Sequence, residues 1–336
     1  MFQTAEFVSL GHPDKTADFI SEYILDRLLE QDLNVKYAVE VMIKGNRVVL
    51  GGEICGNVNL KNLENDVKNA VRQIGYDERY EKIWGQNAIE ISKLEIINLI
   101  GCQSCEILQG VKAGGWGDQG VFAGYACKGD SFIPRELFLA KKLNAALYQK
   151  ALNSDHLGLD IKTQITLDEQ GGVQTAIVAV PMLENEDLRA FVANVLGTVP
   201  QELIINGTGD YRCHSAVADC GITGRKLACD FYSTVCPVGG GSPWAKDASK
   251  ADVSLNILAR KLAVENLKDN DEVFVYLSSC IGQSKLPSAI LKTVKNSKIS
   301  FNKLNGDFSP KAVIQDLGLN KPVFSELCRQ GITALY

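Results

Sequence analysis

Apolar residues recur along this chain at two spacings, and those spacings lay out its elements. Over 16–31, Ala17, Ile20, Ile24 and Leu28 fall at helical intervals, with Asp18 and Glu22 on the other face. This predicts an amphipathic helix that begins just after Gly11-His12-Pro13-Asp14-Lys15. Segments 37–43 and 48–54 read as the two strands of a hairpin around Gly45-Asn46. A second amphipathic helix is predicted over 60–74, with Leu60, Leu63, Val67, Val71 and Ile74 on one face and Gly75 as its stop. The same succession returns later. Strands are predicted over 157–167 and 173–180 around the turn Asp168-Glu169-Gln170-Gly171-Gly172, and a helix over 184–196. Near the end, 272–278 reads as a strand and 310–315 begins a short helix. Hairpin followed by helix, two or three times over, predicts repeated α+β units, although residue identity alone shows no repeat.

The stretch 103–117 has no clear period and carries Gly110, Gly114, Gly115 and Gly117. On its own it reads as a surface loop. Loops of this length without structure of their own are often lids.

Composition narrows the class. Of 336 residues, 46% are hydrophobic and 22% charged, which is ordinary for a globular protein of two or three domains. A net charge of −5 argues against a general nucleic-acid binder, yet leaves room for a local cluster of cations around a small anion. The first residues have neither a basic nor an apolar leader region. No run approaches the roughly 20 apolar residues of a membrane span, so a cytoplasmic protein without membrane contact is expected. In that setting the ten cysteines read as reduced, mostly buried thiols. Cys102 and Cys105 form a lone C-x-x-C, and no second pair or suitably spaced histidine completes a zinc site.

Candidate chemistry lies in four strings: Gly11-His12-Pro13-Asp14-Lys15; Gly115-Trp116-Gly117-Asp118-Gln119-Gly120; Asp219-Cys220-Gly221-Ile222-Thr223-Gly224-Arg225-Lys226; and Gly239-Gly240-Gly241 followed by Lys246-Asp247-Ala248-Ser249-Lys250-Ala251-Asp252. Glycine-rich turns with Lys, Arg and Asp suit a polyphosphate and its metal ions. Backbone N–H groups cradle the anion, cations neutralise it, and carboxylates hold Mg²⁺. The first string lies at a helix N-terminus, where free N–H groups favour phosphate.

These strings, in this order, resemble those of the S-adenosylmethionine synthetases. So does the filler between them, such as Val49-Leu50-Gly51-Gly52-Glu53-Ile54 and Gln109-Gly110-Val111, and the resemblance runs from Phe7 to about Leu335. It implies an α+β fold of three similar domains around a pseudo-threefold axis. The units it implies are 1–102, a mobile active-site loop over 103–117, 118–217 and 218–336. The implied reaction is attack of the methionine sulfur on C5′ of ATP with triphosphate leaving, then hydrolysis of the triphosphate to phosphate and pyrophosphate. A thioether has no proton to lose, so catalysis rests on alignment and on stabilising the leaving group. That agrees with the absence of any recognisable triad.

The resemblance also implies roles for individual residues. His12, Lys162, Arg225 and Lys246 would be catalytic. ATP would be held by His12, Lys15, Asp160, Lys162, Tyr211, Asp219, Arg225, Lys226 and Lys246. Methionine would be held by Glu53, Gln103, Asp118, Asp219 and Lys250. Asp14 and Asp252 would hold two Mg²⁺ per site, and Glu40 would lie by a K⁺. A homodimer or tetramer with active sites shared between subunits is implied as well. Each residue alone has a plainer reading: His12 as a helix-entry residue, Asp14 as a cap, Glu40 on an exposed strand face, Lys162 as a solvated lysine. The joint pattern favours function.

Several positions depart from the family pattern. Gly207-Thr208-Gly209-Asp210-Tyr211 stands where Pro-Thr-Gly-Arg-Phe is usual, and His214-Ser215-Ala216 where Gly-Gly-Pro is usual. A charge reversal beside the nucleotide costs on the order of 1–3 kcal/mol if the site is partly buried. Ser242-Pro243-Trp244 also differs, and the C-terminus reads as short. The departures lie beside the cation and carboxylate set, which is intact. A working synthetase is therefore favoured over a non-catalytic, ATP-binding regulatory homologue. A plain triphosphatase would have no use for Glu53 and Gln103.

Overall fold

The computed structural model describes residues 3–102 and 114–336. Gln103, Cys105 and most of the 103–117 loop lie outside the described residues. In chain order the strands are β1 (Gln3–Val8), β2 (Lys36–Lys44), β3 (Arg47–Cys55), β4 (Glu95–Cys102), β5 (Gly120–Cys127), β6 (Lys162–Leu167), β7 (Val173–Ala179), β8 (Glu202–Ile205), β9 (Gly221–Ile222), β10 (Glu272–Ser279), β11 (Ser288–Lys295) and β12 (Lys298–Lys303). The longer helices are α1 (Pro13–Leu29), α2 (Leu63–Ile74), α3 (Glu78–Trp84), α4 (Arg135–Leu152), α5 (Arg189–Leu196), α6 (Ala251–Glu265), α7 (Pro310–Leu317) and α8 (Phe324–Gln330).

The strands form three four-stranded sheets, ordered β9-β2-β3-β4, β1-β6-β7-β8 and β5-β10-β11-β12. The first two share one plan. An antiparallel hairpin (β2–β3 or β6–β7) is followed by helix and then by a strand parallel to the hairpin's second arm. The third sheet is an antiparallel meander. The outer strand of each comes from elsewhere in the chain. β1, from the N-terminal segment, pairs with β6; β5, from the central segment, pairs with β10; β9, from the C-terminal segment, pairs with β2. The exchange is cyclic. The expected divisions near 102 and 218 thus mark stretches of chain, while each sheet is closed by a strand from across one of them.

Local chemistry sets the element ends. The first hairpin turns on two residues, Gly45 and Asn46, with Lys44 opposite Arg47 and Gly45 at φ +59. Gly75, left-handed at φ +110, ends α2. α1 begins three residues earlier than the periodicity predicts. Pro13 occupies its first turn and the His12 side chain caps it by accepting the Asp14 N–H at 3.1 Å. The Gly11–Lys15 string is therefore the cap and first turn of the helix. The amphipathic reading of α1 is also corrected: Asp18 and Glu22 are 0% exposed. The helix is enclosed by β2, α2 and α8, so its polar stripe meets protein in place of water. The strand predicted over 157–167 begins only at Lys162, and the helix predicted over 184–196 only at Arg189.

Candidate active site

Segments far apart in sequence meet at the N-terminus of α1. The approach depends on glycine. A Cβ on Gly221 would lie 2.1 Å from the Pro13 carbonyl oxygen, and one on Gly11 would lie 2.4 Å from that of Leu159. With Gly221 seated, Asp14 accepts the Ile222 N–H at 2.9 Å and the Lys226 ammonium at 2.5 Å. His12 is buried beside them. Its Nδ1 takes the Asp14 N–H, so its proton sits on Nε2. Burial, then the charges of Lys226 and Lys162, push its pKa down to about 3. The imidazole at this site is neutral, with Nε2 as its N–H donor.

A second carboxylate–lysine pair lies further along the edge of β2 that carries β9. Lys246 forms an isolated bridge with Ala38 of β2, and Ala38 pairs in register with Glu53 of β3. The Lys246 ammonium reaches Asp252, in the first turn of α6, at 2.5 Å, and Asp252 also accepts the Gly241 N–H at 3.1 Å. Glu40, two residues along β2 from Ala38, is exposed and accepts the Thr223 hydroxyl. Asp160 accepts the Ser215 N–H at 3.0 Å, while its other oxygen is buried without a partner. Burial raises its pKa to about 6 against the pull of Lys162. Asp219 lies within electrostatic range of both His12 and Asp160.

The structure thus gathers His12, Asp14, Asp160, Lys162, Asp219 and Lys226 in one place and sets Lys246, paired with Asp252, across β2 from Glu53. Arg225 is exposed next to Lys226, and Lys250 caps α6 just before Asp252. Tyr211 is half-buried near Asp160, whose charge, after burial, raises its pKa. Asp118 is exposed at the entrance to β5, where its side chain accepts the Gln119 N–H at 2.7 Å. The 239–241 loop rests on Val121 and Phe122 of the same strand.

Lys15 departs from expectation. Its side chain turns away from the site into the protein and pairs with Asp230 at 2.7 Å and Asp18 at 3.0 Å. The ammonium lies 4.8 Å from the Trp244 ring centre, and the Trp244 Nε1–H donates to Asp230 at 2.8 Å. In this structure the Lys15 ammonium is committed to two buried carboxylates, as a structural cation would be. Sequence reasoning missed Asp230, Trp244 and the buried Asp18 and Glu22. The four-residue spacing of the acids in α1 was the available signal.

The departures from the family pattern are locally compensated. The Asp210 carboxylate is exposed and accepts side-chain N–H groups of Asn185 at 2.7 Å and Asn206 at 3.2 Å, which hold its pKa low. Exposure screens it, so its effect on a bound anion falls below the buried-site figure, to about 1 kcal/mol or less. His214 is 1% exposed and packs edge-on to Trp84 and Tyr80. Its Nδ1–H donates to the Arg212 carbonyl at 2.7 Å, and its Nε2 accepts the Tyr80 hydroxyl at 2.6 Å. Burial lowers its pKa to about 4. Ser215 sits at φ +57, a conformation costing about 1–2 kcal/mol outside glycine. Its N–H bond to Asp160 and its hydroxyl's bond from the Ile89 N–H offset that cost.

Comparison with known proteins bears on what these groups are for. Family models of the S-adenosylmethionine synthetase N-terminal, central and C-terminal domains match residues 1–105, 113–211 and 213–334. The S-adenosylmethionine synthase of Paramagnetospirillum magneticum is 32% identical over 361 residues, covering 98% of this chain and 91% of that protein. The chain belongs to the S-adenosylmethionine synthetase family. The synthase of Pelagibacter ubique is 31% identical, with the same coverage of 98% and 91%. The solved structure of an unusual S-adenosylmethionine synthetase from Campylobacter jejuni has a TM-score of 0.88 at 30% identity, covering 98% of this chain and 94% of that one. As a member of this transferase family the chain is an enzyme with the α+β fold of three synthetase domains.

The family implies metal ions, and the donors fit magnesium. Among the described residues no group of three or more His, Cys, Asp and Glu suits a metal. Magnesium does not need a protein cage. It is usually held by one or two carboxylates, with substrate phosphates and water completing the shell. Asp14 and Asp252 supply one carboxylate each, and each already holds a cation, an ammonium at 2.5 Å. Among the described residues no helix is long and apolar enough to cross a membrane.

Proposed function

We propose that this enzyme makes S-adenosylmethionine from ATP and L-methionine by direct attack of the methionine sulfur on C5′, with triphosphate as the leaving group, and then hydrolyses the triphosphate to phosphate and pyrophosphate. The observation that carries the reading is the gathering of His12, Asp14, Lys162 and Lys226 around the N-terminus of α1. A leaving group of nearly four negative charges needs such a set, whereas the sulfur nucleophile needs no base. The neutral His12 donates from Nε2 to the oxygen that leaves C5′. Lys162, Lys226, Lys246 and Arg225 neutralise the phosphates. Asp160 offers its unpartnered oxygen to a nucleoside hydroxyl, and Tyr211 packs beside the base. Glu53, Gln103, Asp118, Asp219 and Lys250 hold and orient the amino acid. Asp14 and Asp252 would hold two magnesium ions, whose chemistry is to neutralise the triphosphate, and Glu40 with the Thr223 hydroxyl would hold potassium. In this structure the ammonium groups of Lys226 and Lys246 occupy the two carboxylates, and metal at those carboxylates would leave both lysines free for phosphate.

The units 1–102, 118–217 and 218–336, joined through 103–117, are the working divisions of a cytoplasmic homodimer or tetramer. The outer face of the β9-β2-β3-β4 sheet supports this assembly. Met42, Ile97 and Leu99 are exposed on it, and Glu40 and Glu53 alternate with them on the same side. A second copy seated there covers the apolar residues and completes the methionine pocket.

Mass spectrometry of reactions containing ATP, Mg²⁺ and K⁺, with and without methionine, tests the reading. S-adenosylmethionine is expected only with methionine. ATP binding without that product would favour a regulatory homologue, and phosphate release independent of methionine a triphosphatase.

A further inference from the structure

The acidic stripe of α1 forms a ladder. Asp14, Asp18, Glu22 and Asp26 stand four residues apart on one side of the helix, and all four are buried. Like charges at this spacing repel, so the stripe does not serve the helix itself. Each rung instead accepts a backbone N–H from beyond residue 220. Ile222 donates to Asp14 at 2.9 Å, Gly224 to Asp18 at 2.8 Å, Ala245 to Glu22 at 2.5 Å and Phe324 to Asp26 at 2.9 Å. The first two rungs fix the turn that leads to Arg225 and Lys226. The third fixes the residue before Lys246.

That third rung differs from its neighbours. Ala245 is held at φ +70, in the left-handed region that favours glycine. Its carbonyl accepts the Val39 N–H at 3.1 Å, and its N–H goes to Glu22. On one side Trp244 is tied to Asp230, and on the other Lys246 reaches Asp252. Among the described residues Glu22 forms no ion pair. One oxygen takes the Ala245 N–H, and the other is buried without a partner. Burial pushes its carboxyl well above the usual range. Nothing in the ligand chemistry requires Glu22, yet the backbone that carries a phosphate-facing lysine hangs from it.

We propose that Glu22 is a positioning residue for the leaving group: by holding the Ala245 amide it fixes the strained backbone from which Lys246 projects, and so sets where that ammonium meets the departing triphosphate. The proposal rests on the reading of Lys246 as a triphosphate contact. A thermodynamic cycle on the full chain tests it, with S-adenosylmethionine formation as the readout. Glu22→Gln keeps a carbonyl acceptor for the Ala245 amide, and is expected to stay within about threefold of wild-type kcat. Glu22→Leu removes the acceptor, and is expected to lower kcat about tenfold or more while leaving KM for methionine within about twofold. In a Lys246→Ala background the same Glu22→Leu change is expected to cost less than about twofold, because the group it positions is gone. A merely structural role would cost the same factor in both backgrounds. That outcome, or glutamine as damaging as leucine, overturns the proposal. If Lys246→Ala leaves kcat unchanged, the lysine reading falls and the proposal with it, a result distinguishable from the first. Should Glu22→Leu fail to yield folded protein, Glu22→Ser, which admits water to the Ala245 amide, takes its place with the same expectations.

Discussion

Replacing His214 by phenylalanine probes how this chain fills the place where its family usually carries small residues. The ring slot between Trp84 and Tyr80 accepts an aromatic side chain, so the main losses are two hydrogen bonds. The Arg212 carbonyl borders exposed residues and regains water. The buried Tyr80 hydroxyl loses its acceptor, which costs about 1–3 kcal/mol at pH 7. The pH dependence carries the sharper signature. His214 titrates near 6.5 when unfolded and near 4 when folded. A base whose folded pKa is depressed is taken up as a cation more readily by the unfolded chain. Its contribution to stability is therefore complete above 6.5 and is lost as pH falls toward 4. Between pH 7 and pH 5 this loss amounts to about 2 kcal/mol. His12 loses stability in the same direction, and Asp160, with its raised pKa, gains it, but both are common to the two proteins and cancel in the comparison. Urea unfolding of wild type and His214→Phe at pH 7 and pH 5 is the assay. Wild type is expected to be the more stable at pH 7, with the gap narrowing by about 2 kcal/mol at pH 5. An unchanged gap would refute the claim that His214 is held neutral by burial.

Three further outcomes follow from the site and its surroundings. Lys246→Ala is expected to lower kcat about 10²-fold or more with a smaller change in KM for methionine, measured in steady-state assays, because it removes a contact made to the leaving group. Asp210→Arg is expected to tighten ATP binding in titration calorimetry, but by tenfold at most, since the carboxylate it replaces is exposed and tied to Asn185 and Asn206; a hundredfold gain would place Asp210 against the phosphates. Leu99→Arg, at a residue 64% exposed on the outer sheet face, is expected to shift sedimentation to a single species of 36.6 kDa and to abolish methionine-dependent turnover. An active monomer would contradict a shared site.

Much of the architecture was legible where local rules decide it. The Gly45-Asn46 hairpin and the Gly75 stop follow from backbone freedom, and the α+β alternation follows from apolar spacing. The strand exchange was not legible, because pairing of β1 with β6 or β9 with β2 depends on contacts more than 150 residues apart that no local period records. Asp18 and Glu22 looked like a solvent face because helical periodicity shows only which residues share a side. It does not show what covers that side. The same limit explains Lys15, whose place in the phosphate-binding string says nothing of the Asp230 that draws it inward. The candidate cations other than Lys15, and the two metal-type carboxylates, were legible as types. Which cation pairs with which carboxylate had to come from the fold.

The central claim is that sulfur displaces triphosphate in line, with no base and no covalent enzyme intermediate. ATP made chiral at C5′ with deuterium tests it directly. The enzyme is incubated with this ATP, methionine, Mg²⁺ and K⁺, and the configuration at C5′ of the S-adenosylmethionine is determined. Inversion is the predicted result. Retention, which requires two displacements through an adenosylated side chain, or the absence of any S-adenosylmethionine, would contradict the account.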